Sequence, residues 1–589
     1  MTKKDRIALW PFIGKLLCYA PKLYAFDTLF WLLIYGLPAI PGLIIGAFFD
    51  RLTGETPLDG STQELILLFL AVGVARLGSI FLGRLTKTQH RFLMSGLVRH
   101  NLLQQLFQHP GAKPLQSQHH DSETTSIGKI ISYFREDAQR IEDNIAGVNE
   151  TLGDVILATI SLIILFRVNA ILTLSVLLPL GAIALVIQKA EKHIKQQHYR
   201  SRHITQKVTG FIGEIFGAVQ GIQIAGAQDS VLHQFQTLND QRHRQMVRNE
   251  VLIAGVDSLL GNLTEVGTGL ILLVVAIAQT QNMELLTVGD FALFVYYLSF
   301  VTNFFWSLGT FLSTSKQTEV ALERITNLLP SNHPYSLAEH HSLHLPPVGS
   351  KNSPLPTIYP SPMEAQRDLS RHISSHLEVL QGHNLTYHYP HSNNGISGIN
   401  LTLKRGSFTV VTGAVGTGKT TLLQVILGLL PLQGGEITYN GEPVKNPATF
   451  FVPPISAYTP QVPHLFSYTL KENLLLGWDD THLQSAIYQA VFEKDLAAMP
   501  EGLDTVVGTR GVRLSGGQQQ RAAATRMFLR RPELIVCDDL SSALDIHTEQ
   551  KLWSRLFAQS KNEHWTPTCL VVSHRPTVLK QADQVIYLS

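Results

Sequence analysis

The sequence predicts a multidomain protein: an all-α domain of six membrane-spanning helices, then a linker, then an α/β domain built to hold phosphate. Three observations predict this. Long apolar runs crowd the part of the chain before Leu329. A proline-rich stretch without apolar periodicity follows over 330–376. From residue 377 onward, short apolar strands alternate with helical segments, and one strand runs into a glycine-rich turn. The expected domains are therefore 1–329, 330–376 and 377–589.

A helix needs about 20 mostly apolar residues to cross a bilayer core. Six candidates lie near 25–49, 65–85, 148–166, 170–187, 252–278 and 288–312. The first holds Pro38 and Pro41, which a membrane helix tolerates better than a soluble one. Arg76, Asp257 and Glu265 interrupt others. A charge inside the membrane is a functional candidate by default. The ordinary reading, preferred here, is that such groups line an aqueous cavity, pair with one another or snorkel. The links after spans two and four are long and carry Lys87, Arg91, Arg99, Lys189, Lys192, Lys195, Arg200, Arg202, Lys207, Arg242, Arg244 and Arg248. Basic flanks favour the cytoplasm, which places both termini and both long links inside. Apolar residues at three- and four-residue spacing persist in these links, as in RFLMSGLVRHNLLQQLFQ and IGKIISYFREDAQRIEDNI. Membrane helices that continue into the cytoplasm and fold back are expected, with turns near 114–125 and 204–211.

Composition narrows the classes. Charged residues make up 16% of the 589 residues, against about 25% in an average soluble domain. A net charge of +2 gives no argument for nucleic acid. Cys18, Cys537 and Cys569 form no pair spacing and suggest neither disulfides nor a metal site. The 24 histidines are scattered and read as solvated surface. The basic, amphipathic N-terminus MTKKDRIALWPFIGK has no cleavable signal and reads as a cytoplasmic elbow helix with no further module before it. The linker prolines make that stretch extended and semi-stiff.

The second half carries the chemistry. Gly413-Ala414-Val415-Gly416-Thr417-Gly418-Lys419-Thr420, followed by Thr421, matches G-x-x-x-x-G-K-[ST] with a strand before it and a helix after. Its glycines let backbone N–H groups wrap phosphates, and the helix start adds free donors. Lys419 should reach the outer phosphates and Thr420 should ligate Mg²⁺. LIVCDD ends a buried strand in Asp538 and Asp539. Asp538 would hold Mg²⁺, and Asp539 is placed to orient the attacking water.

These residues and the following ones resemble the ATP-binding cassette (ABC) family. Leu514-Ser515-Gly516-Gly517-Gln518 resembles its signature motif, which in the family caps the nucleotide of the opposite cassette. Tyr389 resembles the aromatic that stacks on adenine. Gln461 resembles the Q-loop glutamine, which touches Mg²⁺ and the membrane-domain coupling helices. Asp545, in SALD, resembles the D-loop aspartate at the cassette interface, and His574 the switch histidine of the γ-phosphate. The first half is similar to the exporter-type membrane domain. The resemblance implies an all-α six-helix transmembrane domain plus an α/β P-loop NTPase (ABC cassette) domain, in the layout of a half-transporter. It also implies ATP and Mg²⁺, a plasma (inner) membrane location, contact with lipid, an unread cargo and a second half-transporter as partner. An ATP-gated channel or regulatory subunit is the alternative. A soluble ABC ATPase acting on ribosomes or DNA is dismissed by the six spans.

One departure matters. The family usually has glutamate where this chain has Asp539. The shorter side chain holds its carboxylate over an ångström further back, and a base must reach its water. Such sites in the family often hydrolyse slowly and occur in heterodimers, so a different partner chain is expected over a homodimer. The intact signature would complete the partner's site. Thr509, where glutamate is usual, is a smaller departure.

Overall fold

The computed structural model describes residues 8–54, 61–107, 127–280, 286–328, 335–341, 343, 376–389, 392, 394–508, 514–562 and 565–588. The expected turn near 114–125, the side chain of Asp257, Thr509 and most of the linker lie outside the described residues. The chain forms two compact units, one ending at Leu343 and the other taking in His344–Ser589. Helices of six residues or more are numbered α1–α17, and strands β1–β9.

The first unit is helical: α1 (Leu9–Leu17), α2 (Pro21–Gly36), α3 (Ala39–Leu52), α4 (Ser61–Phe107), α5 (Ile127–Ser132), α6 (Ala138–Val168), α7 (Ala170–Gly217), α8 (Val219–Ile224), α9 (Gln228–Gly261), α10 (Leu263–Thr280) and α11 (Val288–Leu328). A π-helical turn, Tyr133–Asp137, joins α5 to α6. Four stretches among the described residues are long and apolar enough to span a membrane: Pro21–Leu52, Thr62–Phe107, Ile130–Val168 and Val288–Thr326. The expected fourth and fifth spans carry shorter apolar stretches, Ala170–Ala182 and Leu263–Ile277, inside longer helices.

The first span is broken between α2 and α3. Pro38 has no N–H to continue the ladder and its ring crowds the preceding turn. The Tyr296 hydroxyl donates to Pro38 O at 2.9 Å, and that of Tyr297 donates to Ala39 O, so the carbonyls at the break are satisfied. The fifth span is interrupted at Asn262, whose side chain donates to Ser258 O at 2.6 Å. Asn169 alone links α6 to α7 and caps the latter, accepting from Leu172 N at 3.0 Å.

α4 and α7, 47 and 48 residues long, extend about 70 Å at 1.5 Å per residue, far beyond a bilayer core of about 30 Å. The expected fold-back is cross-braced. Arg91 pairs with Glu142 at 2.6 Å and with Asp143 at 2.5 Å, and Arg99 pairs with Glu142 at 3.3 Å. The second turn falls later than the sequence suggested. α7 runs through 204–211 without a break, and the chain turns around α8. Nothing in 204–211 removes a backbone donor, whereas Gly226, at φ 61°, ends the turn.

Close helix contacts use small residues. A Cβ on Gly153 would lie 2.3 Å from the Tyr35 ring. Asp27, 4% exposed, accepts from Trp31 Nε1 at 3.1 Å, Thr86 Oγ1 at 3.1 Å and Asn149 Nδ2 at 2.7 Å, tying α2, α4 and α6 together.

The stretch expected to be all linker begins as an ordered strap. Asn101 donates to Leu337 O at 3.0 Å and Glu339 O at 2.9 Å, and Leu343 N donates to the Tyr19 hydroxyl at 3.2 Å. Leu337 is buried. An apolar anchor and satisfied carbonyls hold 335–341 and Leu343 on the first unit, which extends to Leu343.

The second unit has two sheets. A parallel sheet runs in the order β6 (Ser456–Thr459), β7 (Leu534–Asp538), β8 (Thr568–Val572), β3 (Phe408–Gly413), β9 (Gln584–Leu588). An antiparallel sheet runs β2 (Gly395–Lys404), β1 (Val379–His388), β4 (Gly434–Tyr439), β5 (Glu442–Pro443). The helices here are α12 (Lys419–Ile426), α13 (Leu470–Leu475), α14 (Leu483–Gln489), α15 (Glu493–Ala498), α16 (Gly516–Phe528) and α17 (Ile546–Asn562). The parallel strands are covered on both faces. Ile535, Cys537, Cys569 and Val571 join one core, and Leu534, Val536, Leu570 and Val572 the other. Burial pushes the Cys569 thiol up to about 12, as suits a small apolar filler.

Candidate functional site

The strand order gathers the motif residues on one edge. Parallel strands present all their C-terminal ends together, and adjacent β6, β7, β8 and β3 are followed by Gln461, Asp539, His574 and the glycine-rich turn. These segments are spread over about 160 positions of sequence, from Gly413 to His574, and the sheet makes them neighbours.

The turn after β3 is shaped to bare its backbone. Gly416 and Gly418 sit at φ 89° and 87°, conformations that L-residues with side chains rarely adopt. A Cβ on Gly418 would also lie 2.6 Å from Gly395 O. Thr417 Oγ1 donates to Ala414 O at 3.0 Å, and Lys419 folds back so that Nζ donates to Gly413 O at 3.0 Å and Ala414 O at 2.6 Å. The lysine therefore lies along the loop that its charge would serve. Val415 is fully exposed at the loop tip.

Thr420 donates its hydroxyl to the Asp538 carboxylate. Asp538 is 3% exposed. Burial raises its carboxyl above the usual range, and Asp539 adds to this. The Thr420 hydrogen bond and the Lys419 charge pull the other way. A buried, partly compensated carboxylate beside a hydroxyl is an all-oxygen donor set of the kind Mg²⁺ favours, so these residues fit that ion. Asp539 takes a left-handed φ of 49°, which aspartate tolerates better than most residues. Its N–H donates to Val572 O at 3.2 Å, and its Oδ1 accepts from Ser541 Oγ at 3.2 Å. Gln461 and His574 are exposed. The Tyr389 hydroxyl lies 3.1 Å from Thr421 Oγ1, and its ring meets Tyr387 edge-on at 5.1 Å. Two residues expected to touch nucleotide thus touch each other.

The signature segment is built differently. Ser515 caps α16 in a capping box: Gln518 N donates to Ser515 Oγ at 3.3 Å, and Ser515 N donates to Gln518 Oε1 at 2.9 Å. Gln518 Nε2 donates to Asp495 Oδ1 at 3.2 Å. Its amide is engaged at both ends, which leaves Ser515, Gly516 and Gly517 as the free face. Asp545 caps α17, accepting from Thr548 N at 2.9 Å and Thr548 Oγ1 at 2.6 Å, and these bonds hold its carboxyl below the usual range.

Sequence reasoning missed the residues that brace these loops. Gln520, 2% exposed, donates to Gln461 O at 3.3 Å and Ser542 Oγ at 2.7 Å, and accepts from Ala543 N at 3.2 Å. Arg575 donates to Glu549 at 3.0 Å, Ser541 O at 2.6 Å and Leu544 O at 2.7 Å. Arg521 grips Asp495 through two bonds, at 2.7 and 2.9 Å. A polar residue next to a motif is the only sequence signal for Gln520 and Arg575, and it does not reveal their partners.

Fold and site together define a membrane protein that carries a phosphate-gripping cassette with a signature face. The comparisons give the family. Residues 34–305 match the ABC transporter transmembrane region and residues 396–542 match the ABC transporter cassette. The chain belongs to the ABC transporter family and has the membrane-domain-then-cassette order of exporter half-transporters. It is 26% identical over 439 residues to the probable multidrug resistance ABC transporter ATP-binding/permease protein YheI of Bacillus subtilis, covering 73% of this chain and 68% of that one. It is 26% identical over 483 residues to the mitochondrial ATP-dependent permease MDL1 of Saccharomyces cerevisiae, covering 79% of this chain and 64% of that one. The chain thus spans roughly two thirds of the length of these relatives. Among solved structures, a bacterial Atm1-family ABC exporter with ATP bound aligns with a TM-score of 0.68 at 17% identity, covering 97% of this chain and 94% of that one. That likeness establishes a shared fold.

Proposed function

We propose that the chain is one half of an ATP-driven exporter of the plasma (inner) membrane, with both termini and the cassette in the cytoplasm, and that it pairs with a different half-transporter. The observation that carries this reading is the pairing of a complete nucleotide-gripping edge with a shortened base at Asp539. Lys419 and the 413–418 backbone bind the phosphates of ATP, and Tyr389 packs on the base. Mg²⁺, when bound with the nucleotide, would be held by Thr420 and Asp538 with Gln461 and would neutralise phosphate charge. Asp539 and His574 orient the water and the γ-phosphate. Asp539 carries its carboxylate one methylene short and shares it with Ser541, so hydrolysis at this site is slow. Ser515, Gly516 and Gly517 cap the nucleotide of the partner cassette, which supplies the faster site.

The lone chain in lipid nanodiscs is expected to show weak ATPase activity, and Asp539→Glu is expected to raise it severalfold. Brisk turnover by the lone wild type that is lost in Asp539→Glu would sink the reading. Purification from native membranes should bring down a second half-transporter, and substrate-stimulated ATPase with vectorial uptake would separate a pump from a channel.

A further inference from the structure

A cavity of about 270 Å³ lies within the membrane unit, among α2, α4, α6 and α11, close to the lower end of the roughly 300–1,000 Å³ usual for small-molecule sites. Trp31, Ile34, Leu157 and Phe300 give it an apolar wall, and Arg76, Arg84 and Asp154 bring charge to it. The charges are not equally satisfied. Asp154 accepts from the Ser307 hydroxyl. Among the described residues, the guanidinium of Arg84 has only the face of the Trp31 ring, 5.8 Å from its centroid. That of Arg76 makes no ion pair or side-chain hydrogen bond among the described residues. By contrast, Lys87 pairs with Glu150, and Asp27 accepts from three donors. Arg76 lies about 16 Å along α4 from the start of its apolar run at Leu65, near mid-bilayer, where an unpaired guanidinium is costly and is kept for a ligand.

We infer that this cavity binds an amphipathic anion, its carboxylate, sulfonate or phosphate on Arg76 and Arg84 and its apolar body against Trp31 and Phe300. The guanidinium fork suits such oxyanions, and two guanidiniums against the one carboxylate of Asp154 leave the lining with an excess of positive charge. The inference rests on the export reading only in taking this ligand as cargo. A lipid headgroup and a soluble organic anion share the chemistry.

The test uses the full chain in phosphatidylcholine nanodiscs without nucleotide, so that its outcome is independent of ATPase activity. Equilibrium dialysis compares naphthalene-2-sulfonate with the matched cation naphthalen-2-yl-trimethylammonium. The sulfonate should bind at least tenfold more tightly. Arg76→Gln should weaken it at least tenfold and Arg84→Gln about threefold, while Arg76→Lys should keep most of the affinity. Asn303→Asp, on the same wall, should weaken the sulfonate and strengthen the cation, which keeps the test decisive if Arg76→Gln fails to fold. No saturable sulfonate binding below millimolar, no preference over the cation, or affinity unchanged in folded Arg76→Gln or in Asn303→Asp would overturn the inference. Added phosphatidylglycerol that displaces the sulfonate identifies a lipid headgroup as the occupant, and indifference to it identifies a soluble anion. Both results support the site.

Discussion

The sheet edge that carries the glycine-rich turn and the face that carries the signature are both motif-dense, yet they are held by different means. Backbone topology holds the edge. Lys419, Thr420 and Asp538 stand on a strand end and a helix start, with Lys419 Nζ on the loop carbonyls and the Thr420 hydroxyl on Asp538. Side chains hold the signature face. Gln518, Gln520, Arg521 and Arg575 each spend their donors inside the unit. The comparison teaches that motif letters do different work. On the edge they are the chemistry, whereas on the signature face most of them are scaffolding for a few exposed small residues.

The two regions should therefore fail differently. Lys419→Ala should give the largest effect, weakening ATP binding at the chain's own site more than a hundredfold with little change in stability. Nucleotide titration by fluorescence checks this, and a loss under tenfold would mean that the edge is not the site. Arg575→Ala should do the reverse. It leaves Glu549 buried without its partner, which costs about 3–5 kcal/mol, and ATP affinity should stay within about threefold. Denaturant unfolding of the full chain measures the first quantity and nucleotide titration the second. Gln520→Leu should cost about 1–3 kcal/mol through the unmet Ser542 hydroxyl and Ala543 N–H. If the brace matters to the partner's site, ATPase of the paired complex should fall while binding at this chain's site holds.

The smallest effect concerns acid. The Asp545 carboxyl is held below its ordinary 3.8 by Thr548, so the fold favours its charged form. That contribution is complete above the unfolded value and is lost as pH falls through the lower folded one. Wild type and Asp545→Asn should therefore differ in thermal midpoint at pH 6 and converge as pH falls progressively below 3.8. A difference that persists at low pH would assign the α17 cap to something other than this charge.

Much of this was legible in the sequence. The apolar runs marked four helices long enough to span a membrane, because spanning length is fixed by the bilayer, and G-x-x-x-x-G-K-T marked the glycine-rich turn because few other residues allow that backbone. The break at Pro38 was signalled by its missing N–H, although the sequence alone left the first span continuous. The second cytoplasmic turn was placed too early because α7 carries Gly210 and Gly213 without breaking and the chain turns only around α8. The strap at 335–341 and Leu343 was hidden because proline-rich composition describes a stretch on average, whereas its anchoring depends on single contacts to Asn101 and Tyr19.

The sequence by itself determined which residues could grip a nucleotide, because that chemistry follows from residue type at fixed local spacing. It also determined that an aspartate stands at 539, after Asp538. Only the tertiary structure decided which strand ends stand side by side, that Gln518 is spent inside its own unit, and that Arg76 has no ion pair among the described residues where it lines a cavity with an apolar wall. Those facts depend on partners tens to hundreds of positions away, whose pairing is set by packing the whole chain.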